Sequence, residues 1–219
     1  MRFRRICTSC VHHLLGGIIL KKSITSDEAQ DAFSGFPVVL ATVSGAKDNI
    51  ITLAMCHVFS FKPPYLGVGI GPKRFSHGLF KASEDFVVNI PDKKILKAVE
   101  ICGSKSGRKV DKFEASGLTR ENAEKVSAPL IAECPVNIEC RKVKELEAGD
   151  HTWFIGEIVS ARRDPDYDRI RDMLLYWGDY RTIGEIVRYA VKCDGCQSRN
   201  DGTKEHQEVR GEGDTGTSH

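Results

Sequence analysis

Five consecutive residues, Lys73-Arg-Phe-Ser-His77, gather the donors an anion needs at a point where the sequence predicts the start of a short helix over 76–83. Unpaired backbone N–H groups and the positive end of a helix attract phosphate, Arg74 can chelate it and Ser76 can donate to it. The same residues also read as an ordinary serine N-cap flanked by surface charges. Two glycine-rich stretches invite a nucleotide site and fail on spacing. Gly67-Val-Gly-Ile-Gly71 lacks the G-x-G-x-x-G turn that brings pyrophosphate to a helix N-terminus, so no Rossmann unit is expected. Gly103-Ser-Lys-Ser-Gly-Arg-Lys-Val110 lacks the Gly-Lys-Ser/Thr ending whose hydroxyl holds magnesium, which argues against an ATPase. Two thiol pairs, Cys7-Thr-Ser-Cys10 and Cys193-Asp-Gly-Cys196, would form a zinc or iron site if the chain ends met. Neither has the aromatic and glycine context of a rubredoxin-like knuckle, and frayed, reduced ends are the plainer alternative.

These residues need elements to position them. From Phe36 the chain reads as short β-rich runs divided by turn chemistry: strands over 37–43 and 50–55 about a turn at 44–49, then 66–70, 86–90, 137–143 and 152–161. Two prolines keep 61–65 out of a central strand and make it an ordered connection. Alternate glycines in 67–71 leave one strand face bare, for close packing or for a flat ligand. Asp92 offers an N-cap to a helix with Ile95, Leu96, Val99 and Cys102 on one face and Gly103 as its stop, and 166–176 reads as a helix with Ile170, Met173 and Leu174 inward. Many strands with a few inserted α helices predict a mainly β fold, a closed or partly closed antiparallel barrel. Apolar periodicity ends after Tyr189, which divides the chain into an N-terminal extension (1–26), one domain (27–189) and a polar tail (190–219).

Composition narrows the function. With 41% apolar and 28% charged residues the 219-residue chain is globular, and 32 Lys and Arg against 30 Asp and Glu create no field favouring nucleic acid or an anionic membrane. The apolar run 14–20 falls far short of the ~20 residues of a membrane helix. Arg2, Arg4 and Arg5 imitate a secretory n-region, but His12 and His13 precede the run, Lys21 and Lys22 follow it and no cleavage site is visible. Eight irregularly spaced cysteines in a chain of this size read as reduced thiols, so a cytoplasmic protein acting on small molecules is expected.

Taken in order, Asn49-Ile-Ile-Thr-Leu-Ala-Met-Cys56, Ser60-Phe-Lys-Pro-Pro64, Arg74-Phe-Ser-His77, Phe86-Val-Val-Asn-Ile-Pro91, Cys102-Gly-Ser-Lys-Ser-Gly-Arg-Lys-Val-Asp-Lys-Phe113, Gly149-Asp-His-Thr-Trp-Phe-Ile-Gly156 and Gly178-Asp-Tyr-Arg181 resemble the flavin-reductase-like FMN-binding split-barrel family, in particular its flavoredoxin branch. The resemblance runs from about Asp31 to Val187. It implies a split β-barrel homodimer with one FMN per subunit near the dimer interface. It places Thr52, Ala54, Met55 and Cys56 at the flavin edge, with Asn49 beside them, and Arg74, Ser76 and His77 at the ribityl phosphate, joined by Ser104, Ser106 and Lys112. Cys56 then either tunes the flavin through a weak S–H contact or serves as a small hydrophobe. His151 and Tyr180 fall on the nicotinamide side with Arg181, although a histidine at a strand start is often simply hydrogen-bonded. The implied activity is an NAD(P)H-dependent flavin reductase: hydride passes from NADH or NADPH to flavin N5, and electrons go on to free flavin, a ferric chelate or a redox protein. A flavoredoxin-type electron carrier with little nicotinamide activity is the alternative, and a metal-binding interaction module built on the terminal Cys-x-x-Cys pairs is a remote one.

Overall fold

Side chains alternate along Val39–Val43 between two interiors: Val39, Ala41 and Val43 enter one apolar cluster, while Leu40 and the preceding Val38 enter another. Both faces are buried, which explains the unbroken apolar run. The computed structural model describes residues 22–183 apart from position 34. In chain order these form α1 (Ser26–Gln30), β1 (Phe36–Pro37), β2 (Val39–Val43), β3 (Asn49–Leu53), β4 (Cys56–Phe61), β5 (Pro64–Ile70), α2 (Phe75–Ala82) and β6 (Asp85–Ile90). A 3-10 turn (Lys93–Ile95) leads into α3 (Leu96–Ser104), followed by α4 (Lys112–Ser116), β7 (Arg120–Glu121), β8 (Leu130–Ile131), β9 (Val136–Ala148), β10 (His151–Arg163), α5 (Arg169–Asp172), β11 (Leu175–Tyr176) and β12 (Tyr180–Arg181).

Seven strands form one antiparallel sheet in the order β3-β2-β6-β9-β10-β5-β4. Its two edge strands are consecutive in the chain, joined only through Ala54 and Met55, and Ile51, Val68, Phe86, Cys140 and Phe154 from five of the strands share one cluster with Val39 and Ala41. The sheet therefore curls around a single interior as a split barrel. Phe80 of α2 plugs it, its ring centroid 5.6 Å from those of both Phe86 and Phe154. Gly156 lets β10 pass this plug, since a Cβ there would lie 2.8 Å from Cys140 Cβ and 2.9 Å from the Phe86 ring. The outer face of β2 and β3 packs Leu40 and Ile50 against Val99, Cys102 and Phe113 of α3 and α4. Asn89 spans the layers: its amide donates to Leu40 O at 2.9 Å and accepts from Ile131 N at 3.1 Å. Among the described residues no helix is long and apolar enough to cross a membrane.

Several elements differ from the sequence expectation. β4 was not expected, because its burial is irregular and a register shift between Val58 and Ser60 breaks the two-residue period. The connection expected at 61–65 is a tight hairpin instead: Phe61 pairs with Pro64 across the cis Lys62-Pro63 peptide, and Pro64 takes the first position of β5, where a missing N–H costs little. Gly103 does not stop α3; it lies inside it, where a Cβ would come within 3.3 Å of Thr52 Cβ. The helix expected over 166–176 shrinks to α5, since Met173 turns extended (ψ 126°) and 175–176 pair with β1 and β12, although Leu174 is buried as expected. α4 was missed, being five residues long and too short to show periodicity. The bare face at Gly67 and Gly69 is covered by side chains, Phe59 over the first and Met55 with Trp153 over the second. The Cys7, Cys10, Cys193 and Cys196 pairs, like the ends of the chain beyond 22–183, lie outside the described residues.

Candidate functional site

Where the end of β3, the start of α2 and the end of α3 converge, two adjoining cavities of about 640 and 380 Å3 open, sharing Thr52, Leu53, Ala54, Arg74, Gly103 and Ser104 along their walls. These volumes suit small-molecule ligands. The smaller cavity is the polar one, reached by Lys73, Arg74, Ser76, Ser106, Lys112 and His151.

Its floor is the first turn of α2. Arg74, not Ser76, is the N-cap residue, and its side chain makes no capping bond. The N–H groups of Arg74 and His77 bond to Gly71 O and Arg74 O, while those of Phe75 and Ser76 have no acceptor among the described residues. Ser76 is 3% exposed, and its Oγ accepts from Asn49 Nδ2 at 2.7 Å, so its own hydroxyl proton stays available toward the cavity it lines. Asn49 thus reaches the site through Ser76. A Cβ on Gly107 would collide with the Asn49 amide oxygen and come within 3.1 Å of the Phe75 ring, so the loop after α3 can close over this turn only with glycine there.

Lys112 reaches the same cavity from the first position of α4. It is 5% exposed and donates to Cys102 O at 2.6 Å. Burial pulls its ammonium down to about 8; Cys102 opposes the shift and the neighbouring Arg74 charge adds to it. Ser104 and Ser106 line the cavity differently from each other. Ser104 Oγ spends its proton on Glu100 O at 2.7 Å within its own helix, whereas Ser106 Oγ accepts from Arg108 N at 3.3 Å and keeps its proton.

The larger cavity is walled by Val38, Glu100, Tyr176, Gly178 and Tyr180. The Tyr176 and Tyr180 rings lie 5.0 Å apart, and burial, then the Glu100 charge, raises the Tyr180 phenol. Between the cavities Thr52 commits its hydroxyl to Val99 O at 2.6 Å, while Ala54 and the half-exposed Met55 form the rim. His151 stands at the mouth of the smaller cavity, Nδ1 2.7 Å from Asp150 Oδ1, and this contact holds the exposed Asp150 carboxyl below its usual range.

Two expected residues lie elsewhere. Cys56 packs against the barrel core, where burial pushes its thiol up to about 12 and keeps it protonated. His77 Nε2 sits 2.9 Å from Thr152 Oγ1 with its ring edge against Phe154, so it braces α2 on β10.

A cation- and donor-rich recess opening into a wider aromatic-walled space suits a ligand with a phosphate at one end and a flat ring system at the other. The family described as flavin reductase like domain matches residues 31–184. The chain belongs to that family. As a flavin reductase-like protein it is 47% identical over 118 residues to an uncharacterised protein of Archaeoglobus fulgidus, covering 53% of this chain and 67% of the relative. It is 29% identical over 165 residues to the NADH-dependent FAD reductase of Streptomyces globisporus, covering 74% and 85% of the two chains. The crystal structure of a flavoredoxin from Methanosarcina acetivorans superposes with a TM-score of 0.71 at 30% identity, covering 80% of this chain and 97% of the other. This flavin reductase-like domain also has site residues that sequence reasoning did not single out, among them Glu100 and Tyr176. Nothing local marks either: Glu100 is one more charge on a helix, and Tyr176 lies at the end of an expected helix that stops at Asp172.

Proposed function

We propose that the protein holds FMN across the two joined cavities and works as an NAD(P)H-dependent reductase that delivers electrons to free flavin, a ferric chelate or a protein acceptor. One observation carries this: the recess bearing Arg74, Lys112, the Ser76 hydroxyl and the open N–H groups of Phe75 and Ser76 runs directly into the wider cavity walled by Tyr176 and Tyr180. When bound, a flavin supplies a ring nitrogen that accepts hydride and a ring system that releases electrons singly or in pairs. Arg74 and Lys112 provide charge for the phosphate, Asn49 aims Ser76, and Thr52, Ala54 and Met55 edge the ring. Ser106 adds a hydroxyl, while Ser104, its proton already committed, contributes shape. His151 and Tyr180 stand where a nicotinamide would enter. With no dinucleotide fingerprint in the sequence, that nicotinamide shares the flavin cavity and binds weakly.

The partner we assign is a second copy of the chain. Met55, Phe59 and Leu146 are each more than 40% exposed on the outer side of β4, β5, β10 and β9, with Trp153 packed edge-on to Phe59 at 5.3 Å, and Met55 joins this apolar face to the rim of the cavity. Likeness to the flavoredoxin favours a second functional reading, an electron carrier that exchanges electrons with other redox proteins.

Titration of flavin-free protein with FMN, riboflavin and FAD tests the cofactor assignment. FMN is expected to bind at least about tenfold more tightly than riboflavin, the loss of one or more charge-assisted contacts. Equal affinity for the two removes the phosphate site from the proposal.

A further inference from the structure

Lys112 is a buried cation that faces no carboxylate among the described residues. From α3 it faces the Cys102 carbonyl and the Cys102 thiol, which burial keeps protonated; from the cap of α2 it faces Arg74. Across the smaller cavity stand Lys73, Lys105, Ser106 and His151. Its chain neighbour Asp111 is turned away, accepting from the N–H groups of Phe113 and Glu114 and pairing with Arg120 at 2.9 Å. On its own helix, Ser116 Oγ bonds to the Lys112 carbonyl. A buried ammonium so placed is costly and tends to shed its proton, and a doubly charged anion in the cavity it lines reverses that balance.

We propose, resting on the flavin reading above, that binding of the flavin phosphate is coupled to protonation of Lys112, so that a proton is taken up as the cofactor enters in mildly alkaline solution and retention weakens as pH rises. Without ligand the side chain loses its charge above about 8; with a phosphate beside it the charge is restored. The ester itself is already a dianion there, its second ionisation lying near pH ~6, so the proton goes to the protein. Linkage then lowers FMN affinity about tenfold between pH 7 and pH 9, while riboflavin, which lacks the phosphate, shows no such slope.

Calorimetric titration of the full-length, flavin-free protein with FMN at pH 8.5, repeated in buffers of different ionisation enthalpy, reads the proton count directly. The expected result is uptake of most of one proton per FMN and none per riboflavin. Lys112→Arg, whose charge does not titrate, should bind FMN without uptake, with Lys112→Met serving the same purpose if the larger side chain disturbs folding. His151→Gln should keep the uptake. FMN binding without proton uptake, or equal uptake with riboflavin or in the Lys112 variants, overturns the coupling while leaving the cofactor assignment intact. No FMN binding at any pH overturns both.

Discussion

Asn49 Nδ2 lies 2.7 Å from Ser76 Oγ, and this one buried bond ties the first residue of β3 to the first turn of α2. It couples the strand that leads into Ala54 and Met55 to the helix start that carries Arg74 and Ser76. Asn49→Ala removes the donor that aims Ser76, and Ser76→Ala leaves a buried amide unpaired; each should cost about 1–3 kcal/mol of stability. In urea denaturation the double variant should be less unstable than the sum of the single ones by more than about 0.5 kcal/mol. Additive losses would mean that the two side chains do not act as a unit.

Arg74 stands at the helix start with no capping bond of its own. Arg74→Ala should lower FMN affinity at least about tenfold and leave riboflavin affinity unchanged, because only the phosphate contact is lost. Fluorescence titration separates the two; parallel losses would place Arg74 against the ring system instead.

The parts of the fold legible in the sequence are those whose signal is local and long. The two strands of the β9–β10 hairpin show as apolar and β-branched runs over 137–143 and 152–161, but the charged, exposed stretch 144–148 hides the end of β9 that meets Gly149, whose φ of +61° opens a two-residue turn. The start of α2, the helix after Asp92 and the family motifs from about Asp31 to Val187, set beside a family match over 31–184, are likewise readable. β4 was hidden by a bulge, and α4 by its length. Within the site, Arg74 and Ser76 are legible as donors near a helix start and Lys112 only through the family resemblance, while Ser76, which also reads as a cap, proves to be Asn49's buried partner. Cys56 and His77 carried motif identity but not direction: strand register turns the thiol into the barrel, and Thr152 draws the imidazole onto β10. Glu100 and Tyr176 come to the cavity only through tertiary packing.

Lys112 also makes flavin-free stability depend on pH. Its folded ammonium is pulled down to about 8 while the unfolded chain keeps the proton to its ordinary, higher value, so at this residue the unfolded state binds more protons between the two and the Lys112 contribution to stability rises with pH. The buried thiols of Cys56, Cys102, Cys134 and Cys140 act the other way: burial raises them while unfolded thiols ionise from about pH 8.5, so the folded state holds more protons and their contribution falls. Tyr167, whose phenol burial raises to about 12, adds to that fall near pH ~10. The difference between the native sequence and Lys112→Met isolates the lysine: from pH 7.5 to 10 the native denaturation midpoint should shift upward relative to that of the variant. A difference that stays constant would assign the pH dependence to other groups.

Trp153 and Phe59 meet edge to face on the outer side of the barrel. If a second copy covers this face, Trp153→Glu should convert a dimer into a monomer in light scattering and weaken FMN binding, with circular dichroism unchanged. A monomeric native protein would contradict the assignment.

Electron flow is the central claim, and anaerobic mixing of the FMN-loaded protein with NADH and with NADPH tests it most directly. The flavin absorbance is expected to bleach within minutes with at least one of the two, at a rate that rises over a wide nicotinamide range because binding is weak. Flavin that stays oxidised with both, yet bleaches promptly with a reduced redox protein, would contradict the reductase and leave the carrier in its place.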